Sequence, residues 1–235
     1  MNKPHRLIVA ATCAFCASAW ADAPLVSETA DAIEAGRCQV EAAHGREHAS
    51  GQPDLRATDV LFSCGVVAST QAALGITRSR SAGIGMQALR VAGKTSLVLA
   101  QDGKAGWGLR YGVEALKLPG SSWRSASFEV LGLYSRELAP GVLMHANLGH
   151  SLSRSQNSSQ PSSDMQGTTL WSLGVETTGT FFSAADFFGD DRSRPWLSGG
   201  VGYNFGGGFS ANASLAWQFD KPRVRSWTLG AKLEF

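Results

Sequence analysis

The segment V-R-S-W-T-L-G-A-K-L-E-F, Val224–Phe235, decides how the rest of the chain is read. Trp227, Leu229, Ala231, Leu233 and Phe235 take every second position, with Thr228, Gly230, Lys232 and Glu234 between them. Alternation of this kind describes a strand with one apolar and one polar face. Chain ends are usually polar and frayed, so an apolar, alternating end asks for a partner along its whole length.

The pattern recurs. Gly208–Phe219 places Phe209, Ala211, Ala213, Leu215, Trp217 and Phe219 on one face and Ser210, Asn212, Ser214, Ala216 and Gln218 on the other. Trp196–Phe205 and Trp107–Ala115 divide in the same way. Two architectures bury such faces. A soluble sandwich joins them in a dry core, whereas a membrane barrel turns them to lipid and keeps the polar faces inside. Segments of about ten residues match a tilted bilayer crossing and exceed the usual soluble strand of about five or six. Aromatic residues gather at segment ends, as in an interfacial girdle, and the polar faces are rich in Gly and Ser. The reading is an all-β antiparallel transmembrane barrel.

Twelve strands are expected, at 37–47, 58–68, 70–80, 83–93, 105–116, 124–136, 141–152, 167–178, 181–188, 195–205, 208–219 and 224–235. An even number brings both chain ends to one side. Tight links such as Gly179-Thr180 and Gly206-Gly207 are expected to be periplasmic turns, and longer polar links, such as 153–166, extracellular loops.

At the other end, Lys3 and Arg6 precede an apolar run from Leu7 to Ala19 and a small-x-small site, Ala19-Trp20-Ala21. This is the layout of a secretory signal peptide, 1–21, with the run too short to span a bilayer. Residues 22–36 are expected to form a periplasmic N-terminal segment and 37–235 the outer-membrane barrel. Removing the signal lowers the 21 basic residues to 19, equal to the 19 acidic ones. A neutral mature chain argues against a nucleic-acid partner. Two of the four cysteines leave with the signal; Cys38 and Cys64 remain in an oxidising compartment, where pairing is the default. In a hairpin of 37–47 with 58–68, a Cys38–Cys64 register also opposes Val40 to Phe62 and Ala42 to Val60. The alternation therefore favours a disulfide over two free thiols.

The inward faces collect Glu41, Arg110, Glu114, Glu129, His145, Asn147, Glu176, Asp186, Lys232 and Glu234. Glu114 and Glu129 are equidistant from the turn at Ser121-Ser122 and are expected to face each other. These groups suit either a polar constriction that selects solutes or a salt-bridge network filling a narrow barrel.

Several motifs lead elsewhere. Gly83–Ala88 fits G-x-G-x-x-A, but no helical period follows it, as a dinucleotide site requires. His150 and Ser151 fall on opposite faces of one strand, and His145 lies about 20 Å from Ser151 along it. No catalytic set, metal spacing or cofactor site is expected.

The closing strand, with Trp227, Leu229, Leu233 and Phe235, resembles the recognition strand of outer-membrane proteins, which implies the barrel-assembly machinery as a partner during biogenesis. The stretch from Ser27 to Ala42, with Glu28–Asp31, Ile33-Glu34, Gly36, Gln39 and Glu41, resembles the opening of a bacterial outer-membrane family named after the MetA pathway of phenol degradation. The stretches 142–150 and 194–203 are similar to strands of that group. The resemblance implies an outer-membrane transporter. Passive passage of small hydrophilic or aromatic solutes is thus the expected function. A filled structural barrel and a lipid-acting hydrolase are the alternatives.

Overall fold

Cys38 and Phe235 exchange two backbone hydrogen bonds, Cys38 N–H to the Phe235 carbonyl at 2.8 Å and Phe235 N–H to the Cys38 carbonyl at 2.9 Å. The first strand therefore closes on the last. The computed structural model describes residues 25–100, 103–154, 165–219 and 223–235. The expected signal peptide and the middle of the 153–166 link lie outside these residues.

Twelve strands form a closed ring: β1 (Cys38–Ala49), β2 (Leu55–Val67), β3 (Thr70–Ser81), β4 (Ile84–Val98), β5 (Gly106–Lys117), β6 (Arg124–Ala139), β7 (Val142–Arg154), β8 (Met165–Thr177), β9 (Phe181–Asp190), β10 (Trp196–Gly206), β11 (Phe209–Gln218) and β12 (Val224–Glu234). Each is antiparallel to its neighbours in sequence, and β12 is antiparallel to β1. Strand limits lie within three residues of those expected, except that β4 continues to Val98 rather than ending at 93. β6 takes in Glu137–Ala139, which leaves Pro140 and Gly141, at φ +73°, to make the turn.

The faces are the reverse of a soluble protein's. Outward side chains such as Leu215 (52% exposed), Val113 (50%) and Leu229 (55%) ring the barrel, while inward Arg90 is 1% exposed and His145 0%. So much exposed apolar area around the ring needs a solvent other than water. Trp107 packs edge-on against Tyr134 at the end of the barrel that carries both chain ends.

Register places Cys38 opposite Cys64, and the two are disulfide-bonded at the start of the β1–β2 hairpin. In β5–β6 the sequence expectation needs correction. Glu129 lies opposite Gly112, and Glu114 opposite Ser127, with a bulge between Glu114 and Ala115. The two carboxylates are staggered, which avoids opposing like charges and leaves room for an arginine beside each.

Candidate functional site: a lumen filled by its own N-terminal segment

Residues 25–36, expected outside the barrel, lie inside it. At the end that holds both chain ends, Gly36 N–H donates to the Gly65 carbonyl of β2 at 3.0 Å. From there the segment crosses the lumen, with bends at Ala30 and at Val26-Ser27. Ile33 N–H donates to Gln71 Oε1 of β3 at 2.8 Å, Ala32 N–H to Ser96 Oγ of β4 at 2.7 Å, and Ala30 N–H to Ser135 Oγ of β6 at 2.7 Å. Glu28 N–H donates to Asn147 Oδ1 of β7 at 2.7 Å, and the Asn147 amide returns a bond to the Glu28 carbonyl at 3.0 Å. Asp186 of β9 receives Val26 N–H and Ser27 N–H, each at 3.0 Å, and the Ser27 hydroxyl at 2.5 Å.

The physical reason is a complete accounting of backbone groups. A closed barrel has no free strand edge along its wall, so beyond the backbone bridge at Ala35–Gly65 the segment does not join the ladder. Its N–H groups still need acceptors once buried. A row of inward hydroxyls, amides and one carboxylate supplies them. Close approach also needs bare wall. A Cβ at Gly108 would strike the Ala30 carbonyl, and one at Gly174 would strike Asp186 and Ser27. Ser27 and Ala30 are each 0% exposed.

Two arginines organise the charges around this segment. Arg110 Nη1 meets Glu28 Oε1 at 2.8 Å, and its Nη2 meets Glu129, so it ties the segment to the wall. Arg90 lies between Asp59 Oδ1 at 3.0 Å and Glu114 Oε2 at 3.1 Å, and donates to Thr77 Oγ1 at 2.6 Å. Thr77 in turn donates to Asp59. Low-dielectric surroundings strengthen such pairs, while the cost of losing one partner rises with burial. At the rim with both chain ends, Lys232 Nζ meets Glu234 Oε1 at 2.9 Å, and Gln39 donates to Glu41 Oε1 at 2.5 Å. Arg90, Asp59, Lys94, Gln71 and Ser135 were not singled out from the sequence. Their signal is weak: each sits in an alternating strand whose polar face reads no differently from a solvated one, and 80–104 has the least regular pattern.

His145 carries a relay. The consistent hydrogen assignment has Ser135 Oγ–H donating to His145 Nδ1 at 2.8 Å and His145 Nε2–H donating to Glu176 Oε1 at 3.2 Å. Serine, histidine and carboxylate in this order match the connectivity of a nucleophilic site. Here the Ser135 oxygen also accepts Ala30 N–H, and the residue is 2% exposed. The relay therefore orients a hydroxyl that holds the segment. Ser151 lies six residues further along β7, and His150 points outward on the opposite face.

A cavity of about 170 Å³ remains between the segment and the wall. Glu28, Asp31, Gln39, Glu41, Gln71, Lys94, Arg110, Lys232 and Glu234 supply its polar lining. Lys94 is 5% exposed and donates to the Thr29 carbonyl at 3.4 Å. At the opposite end the inward faces turn apolar. Phe188 and Trp196 stack with centroids 6.2 Å apart and planes 6° from parallel, and Leu55, Ala57, Met86 and Ala88 are buried at the same end, on β2 and β4.

No protein-family model matches the chain, and no curated protein is similar to it. Solved structures are. The β domain of the Bordetella autotransporter BrkA is 17% identical, with 85% of this chain and 99% of that one covered at a TM-score of 0.54. The KdgM porin in complex with disordered oligogalacturonate is 6% identical, with 84% and 99% covered and a TM-score of 0.59. The outer-membrane phospholipase A of Escherichia coli is 8% identical, with 83% and 92% covered and a TM-score of 0.51. These proteins differ in activity and share an architecture, so the likeness is one of fold. The chain has the fold of an outer-membrane β-barrel, closed from twelve antiparallel strands.

Proposed function

We propose that this protein is an outer-membrane conduit for small solutes whose lumen is held shut by residues 25–36. The observation that carries the reading is how the segment is held. Its backbone N–H groups are bonded to wall side chains, and a polar cavity runs beside it. Water can replace such bonds one by one, unlike a packed apolar core. The end with both chain ends is the periplasmic one, consistent with its two- and three-residue turns at 68–69, 140–141, 178–180 and 207–208. Export through a cleaved signal, and use of the Trp227–Phe235 strand as the assembly signal, belong to the same reading. So does kinship with the MetA-pathway family. Among the lumen residues named above, nine carboxylates stand against the four cations Arg90, Lys94, Arg110 and Lys232. An opened lumen is therefore expected to pass cations and neutral solutes in preference to anions. The Ser135–His145–Glu176 relay acts as a clasp in this account, with no catalytic role.

Planar-bilayer recording tests the proposal. The full chain is expected to give rare, brief steps, and a variant lacking residues 25–33 frequent long ones with a cation-selective reversal potential. A folded deletion variant that stays silent defeats the proposal. That result favours a filled structural barrel, for which the buried Arg90–Asp59–Glu114 cluster is the supporting observation.

A further inference from the structure

Near one rim, the outward face of the barrel carries a cluster of basic side chains that the lumen does not explain. At the far end of β1, β2 and β3, Arg46 lies directly opposite Arg56, and Arg56 directly opposite Arg80. One row nearer the barrel's middle, Arg78 lies opposite Thr58 and Gln87, and Gln87 opposite Lys117. Arg225 faces His48 across the β12–β1 seam. Arg56, Arg78, Arg80, Lys117 and Arg225 are exposed, and these positions alternate with inward Leu55, Ala57 and Asp59. Immediately below begins the apolar belt, with Val60, Ile76 and Leu89 side by side.

Side chains directly opposed on one face of a ladder have Cβ atoms about 4.5–5.5 Å apart, and like charges there destabilise the sheet. Three arginines abreast compound that repulsion. Among the described residues, the carboxylate that meets the patch is Asp54, which pairs with Arg46 and His48. Hydrogen bonds from His48 and then Arg46 hold the Asp54 carboxyl below the usual carboxylate range, so it stays an anion. It neutralises one edge and leaves Arg56, Arg78 and Arg80. Guanidinium groups bind phosphate by paired, charge-assisted hydrogen bonds. A patch just above the apolar belt lies at headgroup height in the leaflet.

We infer that Arg56, Arg78 and Arg80, beside the Arg46–Asp54 pair, form a docking site for a phosphorylated lipid headgroup of the outer leaflet. The inference rests on the outer-membrane placement proposed above and is independent of whether the lumen opens. An acyl chain of the bound lipid lies along Val60, Ile76 and Leu89, and its phosphate oxygens bridge arginines that otherwise repel.

The test uses the full chain in neutral detergent with diphosphoryl lipid A as probe, and native mass spectrometry to count retained lipid. The chain is expected to retain one lipid A. Arg56→Gln/Arg78→Gln/Arg80→Gln is expected to bind roughly a hundredfold more weakly, since each cation near a charged lipid contributes comparably. Arg154→Gln, on the distant strand β7, is expected to bind as the native chain does. Lipid A stripped of phosphate should be lost, and millimolar inorganic phosphate should not displace the lipid. Equal retention by the triple variant, equal retention of dephosphorylated lipid A, or full displacement by inorganic phosphate each overturns the inference. Should the triple variant fail to fold, the same decision falls to the native chain with the two lipids. A detergent-folded chain that ignores lipid A sinks this site and leaves the conduit standing. A chain that is monomeric and soluble without detergent sinks both.

Discussion

Asp186→Ala tests the clasp on the N-terminal segment directly. The Asp186 carboxylate accepts three bonds from the segment, Val26 N–H and Ser27 N–H at 3.0 Å and the Ser27 hydroxyl at 2.5 Å. Each bond contributes about 0.5–1.5 kcal/mol net, more where the acceptor is charged, and water entering the vacated space recovers part of the loss. The three together hold the segment by about 2–4 kcal/mol, or about thirty- to a thousandfold in its docked-to-released ratio. Hydrogen exchange followed by mass spectrometry reads that ratio as the protection of a peptide covering 25–36. Exchange over 26–28 is expected to rise by that factor. Exchange at 35–37 should rise much less, because Gly36 and Gly65 bond backbone to backbone through the β2 edge. Strands β5 to β7 serve as an internal control and should keep their protection. Unchanged exchange over 26–28 in a folded variant refutes the claim that side-chain acceptors hold the segment. An equal rise across the barrel wall shows that Asp186 supports the barrel, not the segment.

Two further predictions concern the barrel itself. Arg90→Met leaves Asp59 and Glu114 buried without their shared cation, so it should lower unfolding stability by about 3–5 kcal/mol in a urea titration; an unchanged midpoint removes the cluster from the account of stability. The Cys38–Cys64 bond spans 26 positions, and reducing it, or replacing both residues by serine, should lower stability by up to about 3.5 kcal/mol through loop-closure entropy, a loss absent if the unfolded hairpin stays collapsed.

The alternation of Trp227, Leu229, Leu233 and Phe235 with Thr228, Lys232 and Glu234 is a local property, so the faces of β12 were legible without any knowledge of its neighbours. The same holds for the strand count and for the Cys38–Cys64 register, which follows from matching two adjacent alternating segments. Glu114 and Glu129 show where locality ends. The β5–β6 connection is centred near Gly120 instead of Ser121-Ser122, a bulge beside Glu114 shifts the pairing by one residue, and no residue type marks either. That the N-terminal segment occupies the lumen was beyond reach altogether. Ser27 and Asp186 are 159 positions apart, Glu28 and Asn147 119, and Ala30 and Ser135 105. They become neighbours only when β1 meets β12. Before that, S-E-T-A-D-A is a polar leader like any other, with small residues and unpaired N–H groups that water serves equally well. Period-two chemistry along the chain determined a barrel with greasy walls outside. Closure of the ring decided the interior, because a shut ladder leaves residues 26–33 no strand edge to join and makes inward Ser96, Ser135, Asn147 and Asp186 their acceptors.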